Sequence, residues 1–292
     1  MVAGRMHTPV TWAGLPLTRP LVMGILNVTP DSFSDGGRNF APEAAIEAGR
    51  RMLAEGADIL DIGGESTRPG AAPVSPDQEQ GRILPVIRAL AAQGAVVSVD
   101  TRHAATMAAA LDAGARIVND VSALAHDPAA LAVAAARGCP VVLMHMRGTP
   151  ETMNAQAVYT DTAGEVLAEL AAVRDRAVAA GVRRENIALD PGFGFAKLGA
   201  QNIELLRATG RFAALGHPLL IGLSRKKFLG EISGEPDPAR RDAASLAAGL
   251  FAAGLGAHIL RVHDVAGTAR ALRVWYILHA RGARNLNVRD DG

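Results

Sequence analysis

Carboxylate and amide side chains follow several short apolar runs of this sequence, at the positions where β-strands would end. Asp100, Asn119 and Asp190 each come directly after such a run. A carboxylate accepts two hydrogen bonds side by side, and an amide both donates and accepts, so this set suits a flat heterocycle with adjacent N–H groups. The alternative for each residue alone is a helix cap, a role that Asp and Asn often take. The three together favour a site that binds a polar ring.

Basic side chains follow the last two apolar runs. Lys226 lies in Ser224-Arg225-Lys226-Lys227, and the last run leads into Arg261-Val262-His263. Alternation along an extended backbone puts Arg261 and His263 on the same side, and the planar guanidinium of Arg suits phosphate oxygens. The loops after the last two strands of a parallel barrel commonly bind phosphate. The pattern predicts an anion site, with a basic surface patch as the alternative.

Three single residues carry weaker signals. Asn27 ends the first run, and its amide oxygen suits Mg²⁺, a hard cation that keeps several waters and takes phosphate oxygens from a substrate. Phe195, in Gly192-Phe193-Gly194-Phe195, is placed to form a wall for a planar ligand. His145, in Met144-His145-Met146, is interpreted as a packed histidine, with a catalytic base as the alternative.

Two long polar segments follow the first and second apolar runs. They contain the candidate loop residues Asp31, Ser34, Asp35, Thr67 and Arg68. Connections between strands and helices are usually short, and long polar loops on the active face of a barrel are commonly lids or binding loops. A tolerated insertion is the alternative.

Eight apolar runs alternate with helical patterns, which is typical of parallel βα units. The runs are Leu21–Leu26, Ile59–Leu60, Val96–Val99, Ile117–Val118, Val141–Met144, Ile187–Leu189, Leu219–Ile221 and Ile259–Leu260. Eight such strands predict an α/β fold, a (β/α)8 TIM barrel with long loops after strands 1 and 2, whose active face lies at the C-terminal ends of the strands.

The helical patterns have recognisable ends. Ser75-Pro76-Asp77-Gln78 predicts a capped helix start with a capping box, and a helix over Gln201–Thr209 is predicted to end at Gly210. Eight helices are expected after the eight strands. No Ser- or Pro-rich linker divides the chain, so residues 1–292 are predicted to form one domain. Residues 1–18 would cap the barrel floor, and residues 285–292 would form a tail.

Composition excludes several classes of protein. The chain has 292 residues, 49% of them hydrophobic, and a formal net charge of +1, which predicts a globular protein and no nucleic-acid partner. The uncharged stretch Ala243–Leu260 is rich in Ala and Gly and is interpreted as a helix and a strand, so no membrane association is expected. The N-terminus does not resemble a secretory signal, and the single cysteine, Cys139, suits a reducing cytoplasm.

Five segments resemble the dihydropteroate synthase family of pterin-binding enzymes. In the order of the family, they are Asn27–Gly37, Asp61–Gly70, Asp190–Phe195, Ser224–Lys226 and Arg261–Asp264. The resemblance implies a (β/α)8 barrel. It also implies a transferase of folate biosynthesis that condenses (7,8-dihydropterin-6-yl)methyl diphosphate with 4-aminobenzoate, giving 7,8-dihydropteroate and pyrophosphate.

The same resemblance implies roles for individual residues. A pterin would be bound by Asp100, Asn119, Asp190 and Lys226, with Mg²⁺ at Asn27 and pyrophosphate at Arg261 and His263. Thr67 and Arg68 would belong to a loop that closes over the substrates. Asp100, Lys226, Arg261 and His263 are the candidate catalytic residues. A homodimer and competition by sulfonamides are also implied.

Two rival functions remain open at this point. A pterin-binding methyltransferase of the related barrel type would share the pterin carboxylates but would need no diphosphate site. The candidate anion residues Arg261 and His263 argue against this function, because a methyltransferase would have no use for them. A barrel that binds a pterin or a protein without catalysis would be expected to lose the loop residues, yet Thr67 and Arg68 are present.

Overall fold

A computed structural model describes residues 10–29, 42–66 and 73–279. Within them, a short hairpin with strands β1 and β2 at Thr11–Trp12 and Leu15–Pro16 comes first. Eight parallel strands follow: β3 (Leu21–Asn27), β4 (Ile59–Gly63), β5 (Val97–Asp100), β6 (Ile117–Asp120), β7 (Val141–Met144), β8 (Ile187–Asp190), β9 (Leu220–Ile221) and β10 (Ile259–Val262). The eight pair in the order β8-β7-β6-β5-β4-β3-β10-β9. A parallel bridge from Leu189 to Leu219 joins β8 to β9. The predicted barrel fold is therefore confirmed.

Helices follow the strands around the barrel. They are α1 (Pro42–Glu55), α2 (Pro76–Ala91), α3 (Ala104–Asp112), α4 (Ala130–Arg137), α5 (Thr162–Ala179), α6 (Gly199–Arg207), α7 (Thr209–Ala213), α8 (Lys227–Ser233), α9 (Asp242–Gly254) and α10 (Val265–His279). Short 3₁₀ turns cover Arg184–Asn186 and Pro238–Arg240. In this part of the chain, no helix has both the length and the apolar character needed to cross a bilayer.

The predicted capping box at the start of α2 is confirmed. The Ser75 side chain accepts a hydrogen bond from the Gln78 amide, and the Gln78 side chain accepts one from the Ser75 amide. The reciprocal bonds satisfy two of the N–H groups that a helix start leaves without partners.

The prediction of eight helices, with one ending at Gly210, is wrong, because the described residues contain ten. Helix α6 ends at Arg207, where the Ala208 amide donates to Glu204, and α7 then begins and contains Gly210. The Thr209 hydroxyl donates to the Leu206 carbonyl at 2.7 Å and holds this break between the helices. A second unpredicted helix, α8, begins at Lys227, inside the basic segment after β9.

The floor of the barrel is filled by apolar side chains. A two-stranded hairpin of β1 (Thr11–Trp12) and β2 (Leu15–Pro16) precedes the barrel, and Trp12 packs against the inner cluster. That cluster takes its members from neighbouring strands: Leu21, Met23, Ile59, Val96, Ile117, Val142, Ala188, Leu220 and Ile259. The Trp12 indole N–H donates to the Asn186 carbonyl at 3.0 Å, which gives the buried ring its polar partner.

This apolar floor determines which polar residues face the barrel interior. Side chains alternate along a strand, so the residue two positions after a floor residue points to the same side. Two positions beyond Ile59, Ile117, Ala188 and Ile259 lie Asp61, Asn119, Asp190 and Arg261. The floor and a polar layer above it therefore come from the same strands.

Candidate functional site

One ion-paired group occupies the C-terminal half of the barrel. Arg261 donates from Nε to Asp61 Oδ2 at 2.6 Å and from Nη2 to Asp100 Oδ2 at 2.6 Å. Asn119 Nδ2 donates to the same Asp61 oxygen at 2.9 Å. Strands β4, β5, β6 and β10 thus place four polar side chains in direct contact.

Burial of this group shifts the pKa values of its charged side chains. Asp61 is fully buried, and its Oδ1 has no hydrogen-bond partner among the described residues. Burial, with the nearby carboxylates, raises the pKa of Asp100 to about 7, although Arg261 opposes the shift. Burial by itself would lower the pKa of Arg261, but the two carboxylates outweigh burial and raise it, so Arg261 stays a cation.

Asp190, at the end of β8, forms the opposite part of the site. Its Oδ1 accepts a hydrogen bond from the Gly192 amide at 2.8 Å. Burial raises the pKa of Asp190, and that amide and the charges of Lys226, Lys197 and Arg261 counteract the increase. Asp190 is thus close enough to Arg261 for the two charges to interact.

Lys226 and Phe195 lie together at this site. The Lys226 ammonium is 4.3 Å from the centre of the Phe195 ring, a cation–π contact. Phe193, the other phenylalanine of the same loop, is buried and stacks on Phe228 instead. The loop thus offers one aromatic ring to the site and uses the other in the core.

The basic residues after β9 and β10 separate into different roles. His263 accepts or donates through Nδ1 to the Ser224 hydroxyl at 2.9 Å, and its amide donates to the same oxygen at 3.1 Å. Arg225 instead forms a bidentate pair with Asp242, at 2.7 and 2.8 Å. Lys227 is 89% exposed beside Glu231. Within this segment, Ser224 contacts His263 and Lys226 contacts Phe195.

Other predicted residues have simpler outcomes. Asn27 is half-buried at the C-terminal end of β3 and pairs in register with Gly63. His145 is buried and bonds to Glu169 and Lys197, in agreement with the interpretation as a packed histidine. The candidate loop residues Asp31, Ser34, Asp35, Thr67 and Arg68 lie outside the described residues.

Comparison with known proteins bears on the family of this chain. The family described as pterin binding enzyme matches residues 23–263. The dihydropteroate synthase of Mycobacterium leprae (strain TN) is 48% identical over 280 residues, covering 93% of this chain and 98% of that protein. The chain belongs to the dihydropteroate synthase family. The predicted family, and with it the prediction of a transferase, is confirmed.

Solved structures of dihydropteroate synthases share the fold. The enzyme from Xanthomonas albilineans with 4-aminobenzoic acid superposes with a TM-score of 0.87 at 49% identity, covering 92% of this chain and 97% of that one. The same enzyme in complex with 7,8-dihydropteroate gives a TM-score of 0.83 at 47% identity, covering 91% and 96%.

One residue of this group, Lys197, was missed at the level of sequence, and Asp61 was noted only as the start of the segment Asp61–Gly70, without a role of its own. Asp61 follows Ile59–Leu60 just as Asp190 follows its own run, so the signal was present. Lys197 carried no such signal, because it lies in a loop and its partner His145 is 52 residues away. The described part of the site brings together three carboxylates and three cations: Asp61, Asp100, Asp190, Arg261, Lys226 and Lys197.

Proposed function

We propose that this chain condenses (7,8-dihydropterin-6-yl)methyl diphosphate with 4-aminobenzoate, giving 7,8-dihydropteroate and pyrophosphate. The observation that carries the proposal is the convergence of Asp61, Asp100 and Asp190 on one barrel end beside Arg261 and Lys226. Relatives crystallised with 4-aminobenzoic acid and with 7,8-dihydropteroate support the choice of substrates.

The carboxylates suit the N–H groups of a pterin ring. Asp190 uses one oxygen for the Gly192 amide and can accept ring N–H groups with its remaining lone pairs. The buried Oδ1 of Asp61 is a second acceptor that no described protein group satisfies. A buried polar atom without a partner is costly, so a ligand donor would recover that energy.

The reaction breaks the C–O bond to diphosphate and forms a C–N bond to the arylamine, which loses a proton. Because that nitrogen is weakly nucleophilic, departure of pyrophosphate must be strongly assisted. Arg261 and His263 are the proposed contacts for its developing charge. Positive charge that develops on the pterin would be stabilised by Asp100 and Asp190. At an effective dielectric of about 20, a unit charge about 4 Å away contributes about 4 kcal/mol.

Mg²⁺ is part of the proposal as an ion that enters with the diphosphate. No group of three or more His, Cys, Asp or Glu residues suited to a metal occurs in the described ranges. The single amide oxygen of Asn27 fits an ion that keeps most of its waters and takes phosphate oxygens. When bound, Mg²⁺ would neutralise charge on the leaving pyrophosphate.

A pyrophosphate-release assay tests the function directly. The wild-type protein is expected to release pyrophosphate from the pterin diphosphate only when 4-aminobenzoate is added, with dihydropteroate formed in equal amount. Sulfonamides are expected to compete with 4-aminobenzoate in the same assay. Binding of the pterin without release would favour a barrel that binds but does not catalyse, and methyl transfer from a methylated pterin would favour the methyltransferase.

The assembly we propose is a homodimer formed through α9 and α10. Helix α10 exposes Val274, Tyr276 and Leu278, and α9 exposes Phe251, so both helices present apolar side chains to the outside. Such surfaces commonly mark protein interfaces. Light scattering should give twice the chain mass, and the substitution Leu278→Glu should give monomers.

The proposed location is the cytoplasm, which suits the single buried cysteine, Cys139.

A further inference from the structure

A buried lysine lies behind the loop that follows β8. Lys197 is only 2% exposed. Its Nζ donates hydrogen bonds to His145 Nδ1 at 2.9 Å, to the Phe195 carbonyl at 2.8 Å and to the Gly192 carbonyl at 3.0 Å. The His145 carbonyl, 3.3 Å from Nζ, is a fourth acceptor. These acceptors favour an ammonium with three N–H groups, whereas burial lowers the pKa of Lys197 to about 7.

The histidine in this arrangement is fixed as an acceptor. His145 Nε2 lies 2.9 Å from Glu169 Oε2, so the ring proton belongs on Nε2 and Nδ1 is left to accept from Lys197. Burial, together with the Lys197 charge, lowers the pKa of His145 to about 4, which keeps the ring neutral. The contact therefore orients the lysine without competing for its charge.

The carbonyls that Lys197 holds belong to the residues that shape the site. The Gly192 amide donates to Asp190 while its carbonyl accepts from Lys197, so one peptide group on each side of this glycine is fixed. Gly192 has φ +71°, and a Cβ there would clash with the His145 carbonyl, so the loop lies directly against the end of β7. The Phe195 carbonyl is held in the same way, beneath the ring that contacts Lys226.

We propose that Lys197 is a positioning residue for pterin recognition, whose ammonium ties Gly192 and Phe195 to His145 and so orients Asp190 and the Phe195 ring toward the ligand. It touches no substrate in this scheme. The inference rests on the proposed function, since it names the residue that shapes the pterin part of the site. It assigns no part to Lys197 in holding the diphosphate.

Calorimetry on the full chain with two separate ligands tests the inference. For Lys197→Met, the dissociation constant of a pterin without diphosphate is expected to rise about 10- to 100-fold, the usual effect of losing hydrogen bonds to a charged group. The affinity for inorganic pyrophosphate is expected to stay unchanged. Arg207→Met, which removes an exposed cation from α6, is the matched control and should change neither affinity.

The outcomes separate the inference from the proposed function. Equal loss of both affinities would show general loosening and overturn the positioning role, and so would an unchanged pterin affinity. A wild-type protein that binds no pterin would overturn the proposed function as well.

A second pair of variants covers the case in which Lys197→Met does not fold. His145→Asn places an amide oxygen near the position of Nδ1, whereas His145→Leu removes the acceptor. We expect Asn to retain more pterin affinity than Leu at equal pyrophosphate affinity. Equal pterin affinities of the two variants would overturn the inference.

Discussion

Replacing Asp190 by Asn is expected to abolish most pterin affinity while leaving the fold intact. The amide oxygen of Asn can still accept from the Gly192 amide, now 2.8 Å from Asp190 Oδ1, so the loop keeps its anchor. The other oxygen becomes an NH₂ group. This group and the N–H groups of the pterin ring are all hydrogen-bond donors, so they cannot bond to each other. Losing one charge-assisted bond and gaining this mismatch costs about 2–4 kcal/mol, which is about 30- to 700-fold in the dissociation constant.

The Asp190→Asn variant is expected to be more stable than the wild-type protein, although it binds a pterin more weakly. Because burial raises the pKa of Asp190 above its ordinary 3.8, the folded protein holds that proton more tightly than the unfolded chain. Wild-type stability therefore falls, relative to the variant, as the pH rises above 3.8. Calorimetric titration with a pterin and thermal unfolding at neutral pH measure the two effects. A lower melting temperature, or an affinity that changes less than about threefold, would refute the reasoning.

Other consequences of the site and the floor can be measured separately. Burial raises the pKa of Asp100 to about 7, so wild-type pterin affinity should fall as the pH drops through 7 and Asp100→Asn should flatten the profile; parallel profiles would contradict this. Arg261→Gln leaves Asp61 and Asp100 without their shared cation and should lower the free energy of unfolding in urea by about 3–5 kcal/mol, whereas a loss under about 1 kcal/mol would indicate a pair as weak as a surface one. Trp12→Ala should cost about 3–5 kcal/mol with pterin affinity unchanged, and a parallel loss of affinity would mean that the floor shapes the site. A chelator should stop turnover but not binding of a pterin without diphosphate, and persistent turnover would dismiss Asn27 as a metal contact.

The barrel and much of its site could be predicted because strand alternation links burial to position. A residue such as Ile117 must face the floor, and Asn119, two positions later, must then face the same interior. The strand ends after apolar runs therefore identified Asp100, Asn119 and Asp190 without any knowledge of distance. The same rule applied to Asp61, whose burial and bond to Arg261 only became evident in three dimensions.

Loop contacts could not be predicted in this way. Arg225 belongs by sequence to a basic cluster, yet its positive φ of 60° and its pair with Asp242 turn it toward α9. Lys197 reaches His145 only because Gly192 brings its loop against the end of β7. No periodicity in the sequence predicts such side-chain contacts, because they depend on the path of an irregular backbone.

The lysine content of this chain has a practical consequence for labelling. The sequence contains 27 arginines and just three lysines. Lys197 is enclosed, Lys226 lies half-covered above Phe195, and Lys227 projects 89% into solvent at the first turn of α8. Among the three lysines, Lys227 is therefore the one that an amine-reactive fluorophore is expected to label first, and it lies one residue from Lys226. The unmodified sequence thus already provides an attachment point from which an optical signal could follow ligand entry.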